Sequence, residues 1–320
     1  MTEPCSQSPV PCALTIGSRG SQLALWQANH VAGRLRERGH EVSIEIIRTS
    51  GDAMQNLTFA QVGASVPKGM FTKEIEEALY ARRIDLAVHS LKDLPTALDE
   101  SFTIAAIPPR ADARDAFVSI HYESFAALPP GSRIGTSSLR RQAQLRATRS
   151  DLDYVEFRGN VDTRLRKLSE GEADAIILAA AGLERLGRTE YLRDRFPALV
   201  LCPAAGQGAL AIETRADDQA TIETLAFLDD AATRFAVTAE RAALAALGGG
   251  CQVPIGIHCQ PSPEGFTITG AVTSVDGRQL VREALDHQGA ADPVGLGQRF
   301  AASLLEQGAG RLLETTAFRD

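Results

Sequence analysis

Short runs of β-forming residues alternate with amphipathic helical stretches from residue 14 onward, and this alternation constrains the fold more than any other feature. Residues 14–17 lead into a helix over 21–38 and then a strand over 42–48; a second helix, 71–82, precedes a strand at 85–89. Strands separated by helices predict βαβ units, with helices covering both faces of the sheet. A strand at 102–107 runs into Pro108-Pro109, read as a hinge. The rhythm restarts at Ala116, with strands at 133–135, 154–157 and 175–179 and helices at 139–147 and 161–170. After Gly206-Gln207-Gly208, a lone strand at 209–213 can return to the first unit, joining two lobes by two crossings. The tail differs. A helix over 230–247 stops at Gly248, and strands at 266–272 and 279–284 flank Asp276-Gly277 as a hairpin. A final helix spans 293–314. The expectation is an α/β chain of two lobes, 13–109 with 207–228 and 110–206, built on doubly wound mixed sheets. A small α+β domain, 229–320, closes it.

Net charge is −7, yet positive charge crowds the middle third: Arg133, Arg140, Arg141, Arg146, Arg149, Arg158, Arg164, Arg166, Lys167, Arg185 and Arg188. An acidic chain with one arginine-rich region lacks the broad phosphate neutralisation that nucleic-acid binding needs. It suits a compact polyanion, whose carboxylates guanidinium forks can grip in pairs. No apolar run approaches the ~20 residues of a membrane span, and residues 1–12 lack the basic start and apolar core of a secretory signal. The five cysteines are scattered, with neither a disulfide framework nor zinc-ligand spacing. A reduced, cytoplasmic setting without a metal is expected.

Four strand-to-helix junctions carry chemistry, and ligands of open α/β sheets sit at the carboxyl ends of strands. His89-Ser90-Leu91-Lys92-Asp93 supplies a hydroxyl, a cation and a carboxylate. Gly135-Thr136-Ser137-Ser138-Leu139-Arg140-Arg141 offers hydroxyls and free helix N–H groups, an anion cradle, with two arginines one turn in. Phe157-Arg158-Gly159-Asn160 precedes a helix containing Arg164, and Ala181-Gly182-Leu183-Glu184-Arg185 adds a further arginine. Helix capping is the bland account of each junction. A fifth feature is Gly248-Gly249-Gly250-Cys251 followed by Gln252-Val253-Pro254. Residues without side chains leave room beside the sulfur, which suits a thiol that carries an attached group.

From Leu14 to the C-terminus, these motifs, with Leu23-Ala24-Leu25-Trp26-Gln27-Ala28 and Pro203-Ala204-Ala205-Gly206-Gln207-Gly208, resemble the porphobilinogen deaminase (hydroxymethylbilane synthase) family in the family's order. The resemblance implies two periplasmic-binding-protein-like lobes and a C-terminal domain bearing the cysteine. It implies a transferase of tetrapyrrole biosynthesis that condenses four porphobilinogen molecules, with loss of ammonia, onto a dipyrromethane cofactor in thioether linkage to Cys251. By the same resemblance Asp93 is the catalytic carboxylate. Ser90, Lys92, Thr136, Ser138, Arg140, Arg141, Arg164 and Gly182 match cofactor-binding positions, and Arg19, Ser21, Arg158, Arg185 and Gln207 match substrate-binding ones. A monomer is implied, with neither nucleic acid nor membrane as partner.

One segment departs from the family pattern: Val62-Gly63-Ala64-Ser65-Val66-Pro67-Lys68-Gly69-Met70-Phe71 is longer than the usual loop, and Gln61 stands where a lysine is common. A two-lobed anion-binding module is the alternative reading. It accounts for lobes and arginines but not for the third domain or the Gly248–Cys251 stretch.

Overall fold

The computed structural model of the chain describes residues 11–50, 72–249, 253–288 and 292–317. In chain order, β1 (Ala13–Ser18), α1 (Gln22–Arg36), β2 (Glu41–Ile46), α2 (Lys73–Tyr80), β3 (Leu86–Ser90) and β4 (Phe102–Ala106) make up the first lobe. Then come β5 (Asp115–Val118), β6 (Arg133–Gly135), α3 (Leu139–Thr148), β7 (Asp153–Val155), α4 (Val161–Ser169), β8 (Ala175–Ala179), α5 (Ala180–Arg185) and β9 (Leu192–Arg195). The chain continues through β10 (Leu210–Arg215), α6 (Gln219–Leu225), α7 (Ala231–Ala246), β11 (Ile255–Ser262), β12 (Gly265–Thr273), β13 (Leu280–Gln288), α8 (Pro293–Glu306) and α9 (Ala309–Ala317).

The two lobes share one plan. The first sheet runs β2-β1-β3-β10-β4 and the second β7-β6-β8-β5-β9. In each, three parallel strands are followed by an antiparallel one: β10 lies between β3 and β4, and β5 between β8 and β9. Each inserted strand is the first element after the chain crosses from the other lobe. The lobes are therefore interlocked by two crossings, one through Pro108-Pro109 and one through Gly206–Gly208. At the second, Gly208 has φ +86° and an added Cβ would come within 2.6 Å of the Ala111 carbonyl oxygen of the first crossing. Only glycine lets the two crossings touch.

Helical spacing seals the sheets. Ala28, Val31, Ala32 and Leu35 of α1 pack on Leu14, Ile16, Leu86, Val88 and Ile212, and Ile75, Ala78 and Leu79 of α2 cover Ile47, Ile84 and Ala87 on the other face. In the second lobe Leu165 and Leu168 face Ile176 and Leu178, while Leu145 meets Ile134 and Ile177. The tail is an antiparallel sheet, β11-β12-β13, under α7 and α8, with Ala239, Ala243, Ile257, Ile268, Phe300 and Leu304 at its centre. Val237 of α7 packs on Leu91 and Leu94, so this region seats directly on the segment around Asp93.

The expected fold class holds, with local corrections. The helix expected over 293–314 is two helices, broken where Gly308 takes φ +98°. The strand expected to reach residue 157 stops at Val155, because Ser137 Oγ, not a neighbouring strand, accepts from the Phe157 N–H (3.0 Å). The strands β9 and β11 were not anticipated; β9 reads Leu-Arg-Asp-Arg, without apolar alternation. No described helix is long and apolar enough to cross a membrane.

Candidate active site

The junctions after β1 and β3 in one lobe, and after β6, β7 and β8 in the other, meet between the lobes. Several hydroxyls there cap helices. Ser21 Oγ accepts from Ala24 N at the start of α1 (3.3 Å), and Ser138 Oγ accepts from Arg141 N at the start of α3 (3.4 Å). Buried Thr136 turns its hydroxyl to the Ser138 N–H (3.3 Å). Ser90 is different: its side chain caps nothing and instead accepts from Gln27 Nε2 (2.8 Å). Arg19 is half-buried in the turn between β1 and α1.

A buried polar network joins the lobes. Asp115, at the start of β5, is fully buried. Its Oδ2 accepts from Arg140 Nη1 (2.7 Å), and its Oδ1 accepts from Arg141 Nε and Nη2 (2.9 and 2.7 Å). Arg140 also donates to the Cys202 carbonyl (2.6 Å) and Arg141 to that of Ile177 (3.0 Å). Burial alone would raise the Asp115 carboxyl, but Arg140 and Arg141 hold it well below the usual carboxylate range. Gln207 Nε2 reaches Asp115 Oδ1 (3.0 Å) and the Ala113 carbonyl (2.6 Å), while its Oε1 accepts from Lys92 Nζ (3.3 Å). The Gln207 side chain is fully buried and shared among chain groups. Arg140 and Arg141 are likewise committed to a carboxylate of the chain itself.

Asp93 ends the 3₁₀ turn Leu91–Asp93 and is exposed. Its charge favours the cationic forms of Lys92, Arg141 and Arg164, and its neighbour Lys92 reaches the second lobe's Arg141 through Gln207 and Asp115. Burial lowers Lys92 to about 8, against the raising effect of Asp93. Burial, Arg141 and Arg158 lower Arg164 to about 10, and its Nε donates to the Gly159 carbonyl (2.8 Å). Half-buried Arg158 pairs with Glu156.

At the seam, Arg185 Nη2 donates to the Gly208 carbonyl (2.7 Å) and its guanidinium lies 5.8 Å from the Trp26 ring centroid; burial lowers it to about 10. Trp26 stacks on His30 at 5.1 Å. Gly182 is buried where a Cβ would stand 3.8 Å from Leu23 of one lobe and from Val161 of the other.

Cys251 and the 62–71 loop lie outside the described residues. Burial pushes the thiols of Cys202 and Cys259 up to about 12, so neither is a ready nucleophile. Sequence reasoning passes over Asp115, Arg110, Glu240 and Arg241, and gives Gln27 no role. Glu240 alone carries a signal: it falls on the apolar stripe Ala236, Val237, Ala239, Ala243 of α7, where an unpaired charge is untenable. Its carboxylate holds Arg110 (2.6 and 3.1 Å), Gly206 N (2.6 Å) and Cys259 N (2.7 Å).

Residues 14–223 match the family described as porphobilinogen deaminase, dipyromethane cofactor binding domain, and residues 234–306 match the porphobilinogen deaminase C-terminal domain. The porphobilinogen deaminase of Trichlorobacter lovleyi is 49% identical over 312 residues, covering 97% of this chain and 98% of its own. Those of a Roseiflexus species and of Geobacter sulfurreducens are each 50% identical over 302 residues, covering 94% of this chain and 98% and 93% of their own. Among solved structures, the methionine-binding protein MetQ overlays 68% of this chain and 89% of its own at 12% identity and a TM-score of 0.43. On two matched family regions and near-full-length relatives at about half identity, the chain belongs to the porphobilinogen deaminase family.

Proposed function

We propose that this chain joins porphobilinogen units head to tail, with loss of ammonia, on a dipyrromethane attached to Cys251, and then releases the linear tetrapyrrole by hydrolysis. The observation that carries this reading is the hydrogen-bonded path from Lys92, beside Asp93, through Gln207 and Asp115 to Arg140 and Arg141, in a chain of this family. The donor set fits a carboxylate-bearing cofactor: partly buried cations depress one another, and anions between them would relieve both burial and repulsion. Bound, the dipyrromethane supplies a pyrrole α-carbon as the attachment point for each new unit.

The chain's own residues do the rest. Asp93 stabilises positive charge on pyrrole nitrogens, and removing electrostatics of that kind typically costs about 10²–10³ in rate. Arg19, Ser21, Arg158 and Arg185 take the acetate and propionate of incoming substrate, while Ser90, Lys92, Thr136, Ser138, Arg164 and Gly182 line the cofactor. Arg140 and Arg141 present their remaining N–H groups to cofactor carboxylates from the face fixed by Asp115, and Gln207, bonded to Lys92 and Asp115, takes part in binding substrate. Functional units are 13–109 with 207–228, 110–206 and 229–320, acting as a cytoplasmic monomer. The test is the denatured mass of the protein beside a product assay. The protein should be heavier than its sequence by two linked pyrroles, and Cys251→Ser should abolish both adduct and turnover. Normal turnover by an adduct-free protein would refute the tether.

A further inference from the structure

Arg241, on α7, aims its guanidinium at three successive carbonyls directly after Asp93. Its Nη2 donates to Pro95 O (2.6 Å) and Thr96 O (3.2 Å), and its Nη1 to Leu94 O (3.4 Å). These carbonyls follow the 3₁₀ turn Leu91–Asp93, which is closed by one backbone bond, Leu94 N to Leu91 O (3.1 Å). They lie beyond the turn's own backbone bond, and carbonyls outside a helix or strand ladder need another donor, which a guanidinium supplies. The neighbouring Glu240 fixes α7 to both crossings through Arg110 and Gly206 N, and Val237 packs on Leu91 and Leu94. The helix ends at Ala246, with residues 247–250 between it and Cys251. One rigid helix thus grips the segment bearing the exposed carboxylate and leads to the cysteine.

We infer that Arg241 is a positioning residue: it holds the turn carrying Asp93 at a fixed place relative to the domain that carries Cys251. The inference rests on the proposed role of Asp93. A contact that only glued domains together could use any surface of the lobe, whereas this fork is spent on the backbone next to the carboxylate. Displacement of a catalytic group by an ångström is enough to cost about 10²-fold in rate.

Holoenzyme variants test this, with cofactor loading read from mass and folding from thermal melts. Arg241→Ala should keep full loading and a KM within about twofold while kcat falls at least about tenfold; Arg241→Lys, which cannot span three carbonyls, should fall between. In the Asp93→Glu background, where the carboxylate is already displaced, adding Arg241→Ala should cost no more than about twofold further. An unchanged kcat in fully loaded Arg241→Ala, or full additivity in the double variant, overturns the inference. Should Arg241→Ala fail to fold or load, Arg241→Lys decides: a drop of at least about threefold in kcat supports the inference and none overturns it. Full turnover by Asp93→Asn would instead refute the role of Asp93 itself.

Discussion

A carboxylate cut off from water persists only where donors replace its hydration, and Asp115 receives three from Arg140 and Arg141 and a fourth from Gln207. Asp115→Asn keeps the shape but leaves two buried guanidinium groups facing a neutral amide. It should cost about 3–5 kcal/mol in urea unfolding and reduce cofactor loading; unchanged stability and loading would mean that the network is ornamental. Lys92 yields a pH prediction. Burial depresses it to about 8, so the cation is present below that pH and lost above it. In the unfolded chain it stays charged to about 10.4. Between these values the unfolded state binds more protons, so this group makes stability rise with pH even as its grip on carboxylates weakens. Reconstitution of the apo-protein with cofactor should therefore slow as pH passes about 8, and Lys92→Arg should remove that limb of the profile. A limb unchanged in the variant would assign the titration elsewhere.

At the scale of elements, α7 ties the molecule together through Glu240. Burial would raise this carboxyl, yet Arg110 and His258 hold it at about 2. A depressed carboxyl contributes stability above its unfolded value, lost as pH falls from about 4.5 towards 2. Glu240→Gln should lose about 3–5 kcal/mol at neutral pH and flatten the acid limb of a stability–pH curve; an unaltered acid limb would exclude Glu240 as its source. The junctions that carry the site were legible because their signals are local: Ser138 and Asn160 stand where helices must start, and β-forming runs end just before them. The pairings were not. Asp115 lies 25 residues from Arg140 and 92 from Gln207, and only the folded sheet brings them together. Equally, the mid-helix break at Gly308 depends on α9 turning back onto the domain core, where Leu312 is buried.

For the whole molecule, each lobe is completed by a strand from beyond a crossing, so any shift of the lobes as the product lengthens would occur without their separating. The only tryptophan, Trp26, faces Arg185 across the seam. Adding porphobilinogen to the holo-protein should change its fluorescence in steps that track chain length, and Arg185→Leu should alter the starting emission. A signal blind to both would place the motion elsewhere. The account stands or falls on the charge at Asp93, compared between Asp93→Asn and Asp93→Glu in fully loaded protein. Asn keeps size and hydrogen-bonding reach but not charge, and should lower kcat at least about a hundredfold, or roughly 2.7 kcal/mol. Glu keeps the charge one methylene away and should retain clearly more turnover than Asn. Equal activity of the two variants would contradict the account, leaving Asp93 as no more than the end of a turn.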